Sequence, residues 1–97
     1  KPPENQLRIT ACIAEVKPLR YTPAGLPALD MLLEHSSGVV QDQQTRQVQA
    51  KVKAIAIGAL AETLARQAIG SLWNFSGFVS SPRGQSLVFH IQAFSQD

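Results

Sequence analysis

With 97 residues, a formal net charge of +2, 44% hydrophobic and 16% charged residues, the chain has the make-up of one folded domain, which excludes an intrinsically disordered segment. No apolar run approaches the roughly 18 residues that a membrane-spanning helix needs, and no basic-then-apolar signal segment opens the sequence. A lone cysteine, Cys12, excludes an internal disulfide and suits a reducing cytoplasm, while the mild positive charge permits an anionic partner without requiring one.

Residues 1–5, beginning Lys1-Pro2-Pro3-Glu4, read as an extended tail. Period-two alternation then sets in, with Leu7, Ile9, Ala11 and Ile13 on one side of a first strand over Gln6–Val16. Pro18, Pro23, Gly25 and Pro27 follow in quick succession. Proline fixes φ and glycine supplies positive φ, so the chain must reverse there. A second strand is predicted from Leu26 to about Ser36, with Leu29, Met31 and Leu33 inward and Asp30, Leu32 and Glu34 outward. Leu32, apolar between two carboxylates, suggests a subunit contact. The polar, glutamine-rich stretch Ser37–Gln44 reads as a mobile hairpin loop.

A third strand runs from Thr45 to about Ile57. Val48, Ala50, Val52 and Ala54 alternate on one side and Gln47, Gln49, Lys51 and Lys53 on the other, the pattern of a half-buried sheet with a wet, positive face. The period then changes: Leu60, Ala61, Leu64, Ala65 and Ala68 recur at three and four, which predicts a short helix over Gly58–Ala68, ended by Gly70. Ser71–Ser80 reads as a fourth strand whose Trp73 and Phe75 face the core. Ser81–Gln85 is a turn, and Ser86 to about Phe94 a fifth strand; its Phe89 and Ile91, with Phe78 of the fourth strand, read as core or subunit-interface residues.

Three strands, a helix and two more strands is the element order of the OB fold, a five-stranded Greek-key barrel whose helix plugs one end. The expectation is therefore a mainly β, single OB-fold domain over residues 1–97, with one short helix between strands 3 and 4.

Short motifs punctuate this order: Asn5-Gln6-Leu7, Pro18-Leu19-Arg20, Pro23-Ala24-Gly25-Leu26-Pro27, Leu33-Glu34-His35, Arg46-Gln47, Gly58, Gly70-Ser71, Gly77-Phe78 and Val88-Phe89-His90. In this order and spacing, from about Asn5 to Phe94, they resemble the primosomal replication protein N family of bacterial single-stranded-DNA-binding OB folds. Ordinary single-stranded-DNA-binding proteins share the hairpin and the Gly70/Gly77 pair but usually add a long acidic, glycine-rich tail; the sequence ends soon after the fifth strand, which favours the primosomal branch. The resemblance implies a homodimer that binds single-stranded DNA. It also implies a bridge between the restart helicase PriA and later primosome proteins at stalled forks, with no catalysis, no metal and no other cofactor.

One departure from the family pattern bears on affinity. Relatives stack bases on aromatic side chains in the second loop and third strand, and those positions hold Gln44 and Gln49 here. The last loop, lysine-rich in relatives, holds Arg83 as its only cation. Each stacked base contributes about 1–3 kcal/mol, so the resemblance implies a weaker or differently distributed DNA site.

Within that frame, Arg20 and Tyr21 read as a phosphate contact and a stacking face, or else as solvated loop residues. Lys51 and Lys53, about 6–7 Å apart along a strand, share a face with Gln47 and Gln49, the face the family uses for DNA, and are assigned there with Arg46. Lys17 and Arg83 sit at the rim of the patch. His35, His90 and Cys12 lack the spacing of a metal site. Asp30 and Glu34 share a strand face without a nucleophile or third partner, so they read as solvated. Two functions follow from different classes: a single-stranded DNA-binding primosome adaptor, or a protein-interaction module that docks the helicase with vestigial DNA binding.

Overall fold

A computed structural model describes residues 3–96. Six strands and one helix follow one another: β1 Leu7–Val16, β2 Arg20–Tyr21, β3 Pro27–Gln41, β4 Gln44–Ile57, α1 Ala59–Ala65, β5 Leu72–Ser80 and β6 Val88–Ser95. The sheet runs β1-β5-β6-β4-β3-β2, and a further β1–β3 pairing closes it into a barrel of five strands, with β2 an appended two-residue edge. Closure depends on β1 serving two neighbours. Its first half pairs β5 from Leu7 to Cys12 and its second half pairs β3 from Cys12 to Val16. The register slips between Ile13 and Glu15, and such a bulge bends a strand from one sheet into the next. The arrangement is the predicted OB fold, with the helix between the third and fourth barrel strands.

The alternation read from the sequence is the alternation of burial. Ala11, Ile13, Leu29, Met31, Leu33, Ala54, Ala56, Phe75, Phe89 and Ile91 form the core, with Leu7, Ile9 and Val52 packed against it. Trp73 is half-buried beside this core, edge-on to Phe94 with ring centroids 4.8 Å apart, and its Nε1 donates to Ser71 Oγ. Helix α1 contributes Ala61 and Leu64 and packs on β3 and β4. Gly58 makes the entry possible: at φ +86° it turns the chain out of β4, and its N–H donates to the Pro27 carbonyl at 2.8 Å. No helix among the described residues is long and apolar enough to cross a membrane.

Three predicted boundaries are corrected. The helix stops at Ala65 rather than Ala68, although alanine-rich sequence favours its continuation. The chain has to return to β1, where Gly70 N–H bonds the Ile13 carbonyl at 2.7 Å and Ile13 N–H bonds the Ser71 carbonyl at 3.0 Å. Ser37–Gln44 is not a loop. β3 and β4 stay in register out to Gln41–Gln44, and only Asp42 and Gln43 turn. Both have positive φ, +53° and +62°, the conformation of the two-residue turn whose twist matches a hairpin. Nor is the chain before β1 wholly a tail. Lys1 and Pro2 lie outside the described residues, but the Asn5 carboxamide donates to the Val79 carbonyl at 2.7 Å and accepts from Val79 N–H at 2.9 Å. A side chain thus continues the β1–β5 ladder by two hydrogen bonds.

Candidate nucleic-acid interface

β3 and β4 outrun the barrel. Pairing of β1 with β3 ends at Glu34, and β6 meets β4 only at Ala54 and Ile55, so the hairpin from about residue 36 to 49 is a two-stranded ribbon exposed on both faces. Its root is pinned by His35. The Thr10 carbonyl can only accept, so His35 Nδ1–H donates to it at 2.7 Å and Nε2 accepts from the Ser37 hydroxyl at 2.8 Å.

Residues opposite one another in an antiparallel pair share a face. The register therefore sets Lys53 across from Leu32, Lys51 across from Glu34, Gln49 across from Ser36 and Gln47 across from Gly38. Gln47, Gln49, Lys51 and Lys53 are exposed and lie together as predicted, and Gln47 Nε2 donates to Ser36 Oγ at 3.0 Å. Arg46 does not join them. It pairs with Val39 and alternates to the opposite face of the ribbon, the face of Val48 and Ala50. Gln44 stands at the tip beside the turn.

Lys17 extends the β1–β3 ladder by one bond, its N–H donating to the Asp30 carbonyl at 2.9 Å. Its side chain lines a shallow depression with Glu15, Asp30, Leu32, Lys53 and Val88. Leu32 is thus half-buried in the wall of this hollow rather than projecting freely. The parallel β4–β6 pairing sets the start of β6 beside Lys53. Arg83 is exposed in the β5–β6 connection, in a single 3₁₀ turn, Pro82–Gly84, with its own φ at +53°.

Arg20 is already occupied. On β2, opposite Ala28, its Nε donates to Asp30 Oδ2 at 2.7 Å and its Nη2 to Asp30 Oδ1 at 3.3 Å, a bidentate pair. The hydrogen bond from Arg20 holds the Asp30 carboxyl below its usual range, with Lys17 assisting through its charge. Tyr21, 66% exposed, pairs with Pro27 and alternates to the side away from Arg20.

Two features escaped the sequence reading. The cationic face also carries Glu15, Asp30 and Glu34, which only the β1–β3–β4 register reveals. On the outside of β5 and β6, paired Phe78 and His90 stack with centroids 4.7 Å apart and planes 5° from parallel, His90 Nε2 lying 2.8 Å from Ser80 Oγ. Alternation places both on the outer face, but their stacking depends on the Phe78–His90 register. No cluster of His, Cys, Asp or Glu among the described residues has metal-binding geometry.

Comparison with known proteins fits this architecture. Residues 5–93 match the family described as "Another single-strand binding protein family". The chain is 40% identical over 83 residues to the replication restart protein PriB of Bordetella pertussis, covering 86% of this chain and 78% of that protein. To PriB of Neisseria gonorrhoeae it is 33% identical over 84 residues, 87% and 83% of the two chains. The solved structure of PriB from Ralstonia solanacearum superposes with a TM-score of 0.88 at 34% identity, covering 97% of this chain and 98% of that one. The SSB domain from Synechococcus, 16% identical with a TM-score of 0.75 over 99% of both chains, shares the fold. With nearly its whole length matched, the chain belongs to this single-strand binding protein family, on its PriB branch.

Proposed function

We propose that this protein is a non-catalytic single-stranded DNA-binding protein of replication restart, acting in the cytoplasm as one OB-fold domain. The observation that carries the reading is the exposed β4 face, where Lys51 and Lys53 continue into Gln47 and Gln49 along a ribbon free of the barrel. Lys17 and Arg83, the latter in the β5–β6 connection, add charge to a path for a phosphate backbone. Gln47 and Gln49 offer hydrogen bonds to sugar or base edges, and no aromatic platform accompanies them on that face. The interface is therefore more electrostatic than stacked, and its affinity falls steeply with salt.

We further propose that it works as a homodimer and bridges the helicase PriA to later primosome proteins. Support for the dimer comes from β1: from Leu7 to Ala11 it pairs β5 on one edge and has no strand on the other among the described residues. Unpaired edges of this kind are covered by a second strand or a second chain.

A second reading, a protein-docking OB module with vestigial DNA binding, draws on one observation: Glu15, Asp30 and Glu34 are interleaved with the lysines, which suits a mixed-charge protein partner. Fluorescence anisotropy separates the two. A labelled single-stranded thymidine oligonucleotide, measured at low and moderate salt against a matched duplex, binds with single-strand preference and loses affinity with salt on the first reading. The paired change Lys51→Glu with Lys53→Glu abolishes that binding. Absence of binding at low salt leaves only the docking module.

A further inference from the structure

Of the cations assigned to the interface, Arg20 on the edge strand β2 is held by a carboxylate. Arg20 projects from a two-residue strand fixed between Pro18 and Pro23, and its guanidinium lies against Asp30 in the side-on geometry with which arginine takes a phosphate. Asp30 also stands beside two of the lysines: with Glu15 it lines the same depression as Lys17 and Lys53, and its backbone carbonyl accepts from Lys17 N–H. The carboxylate thus takes the place of a phosphate on Arg20, with Lys17 close enough to act on it through charge. It cancels the charge of Arg20 and repels an incoming phosphodiester. Both partners are partly exposed, with side-chain accessibilities of 51% and 35%, so the pair is open to exchange rather than locked in the core.

We propose that Asp30 is a positioning residue that sets the affinity of this face for single-stranded nucleic acid, by holding Arg20 in an ion pair that the phosphate backbone must displace before it can use that guanidinium. The inference rests on the DNA-binding reading above and adds a built-in competitor to it. Asp30→Asn keeps the size of the side chain and removes its charge, which frees Arg20 for a phosphate. Asp30→Glu retains the carboxylate.

The test is anisotropy with the labelled thymidine oligonucleotide across a salt series, for the unmodified protein, Asp30→Asn, Asp30→Glu and Asp30→Asn in an Arg20→Gln background. Asp30→Asn binds about fivefold more tightly at low salt, and its salt slope steepens by about 0.7, the increment for one more phosphate contact on a single strand. Asp30→Glu behaves as the unmodified protein, and the gain vanishes when Arg20 is Gln. A gain of equal size without Arg20 overturns the proposal, because general charge removal then accounts for it. Unchanged or weaker binding by Asp30→Asn also overturns it. The Lys51→Glu/Lys53→Glu protein keeps the two levels apart: binding lost in that protein but insensitive to Asp30 sinks the competitor alone. No binding by any protein in the series, Asp30→Asn included, sinks the DNA reading as well.

Discussion

Gly77 lies so close to the backbone carbonyl of His90 that a Cβ at position 77 would overlap it, and would press on the Phe89 ring besides. The approach coincides with a register slip between Ser76 and Gly77, the bulge by which β5 bends over β6. Gly77 is buried, and the oxygen it faces belongs to backbone, which cannot rotate aside as a side chain does. Gly77→Ala is therefore expected to destabilise the barrel by about 1–3 kcal/mol, a fall in Tm of at least ~4 °C in a domain of this size. Thermal unfolding followed by circular dichroism measures it; an unchanged Tm would mean that β5 and β6 separate at little cost.

The two lysines of the candidate interface are not equivalent. Lys51 has a carboxylate, Glu34, directly opposite it across the hairpin, whereas Lys53 has Leu32 there, the carboxylates of Glu15 and Asp30 lying further off in the depression it shares with Lys17. A carboxylate opposite a lysine offsets its field at a phosphate. Lys53→Ala is expected to weaken oligonucleotide binding more than Lys51→Ala, with a loss of about 0.7 in salt slope per contact removed. Glu34→Gln in turn strengthens binding and narrows the gap between the two alanine variants. Equal losses with Glu34 present contradict the pairing argument.

Much of the barrel was legible because alternation is a local property. Leu29, Met31 and Leu33 need only be read two at a time, and the same holds for Val52 and Ala54. Arg46 was within reach of the same rule, since it stands two residues before Val48 and so belongs to that face rather than to the lysine face. What a local reading misses is register. Glu34 facing Lys51, and Arg20 reaching Asp30 ten residues on, depend on which residues the hairpin sets side by side. The end of α1 was hidden for a related reason, because a long-range pair between Gly70 and Ile13 overrides helix propensity.

The ribbon tip was misread because its turn lacks the expected residue. A two-residue turn with positive φ at both centres favours Asn-Gly, and here Asp42 and Gln43 take that conformation. Left-handed backbone costs a residue with a Cβ about 1–2 kcal/mol, partly offset in glycine by its greater loss of chain entropy. Asp42→Asn with Gln43→Gly should stabilise the turn by about 1 kcal/mol and slow amide exchange in residues 38–47 about fivefold. The ribbon beyond the barrel pairs with no other strand, so global Tm should barely move. Exchange left unchanged would show that the tip is not limited by its turn.

Asp30 also gives the fold a small acid sensitivity. The hydrogen bond and charge of Arg20 lower its carboxyl pKa in the folded protein from the ordinary 3.8. A depressed folded pKa means that the ion pair contributes its full stability above that ordinary value and loses it as pH falls through the lower folded one. Both side chains are partly exposed, so solvent screens the pair and its contribution at neutral pH is about 0.5 kcal/mol or less. Asp30→Asn is therefore slightly less stable than the unmodified protein in urea at neutral pH, and the difference closes in acid below the lowered folded pKa, where the carboxyl is protonated in the folded and the unfolded protein alike. The same substitution that should tighten DNA binding thus loosens the fold, as expected of a carboxylate that serves the folded protein and competes with its ligand. A stability difference that persists undiminished in acid would assign it to packing around Asp30 instead of to its charge.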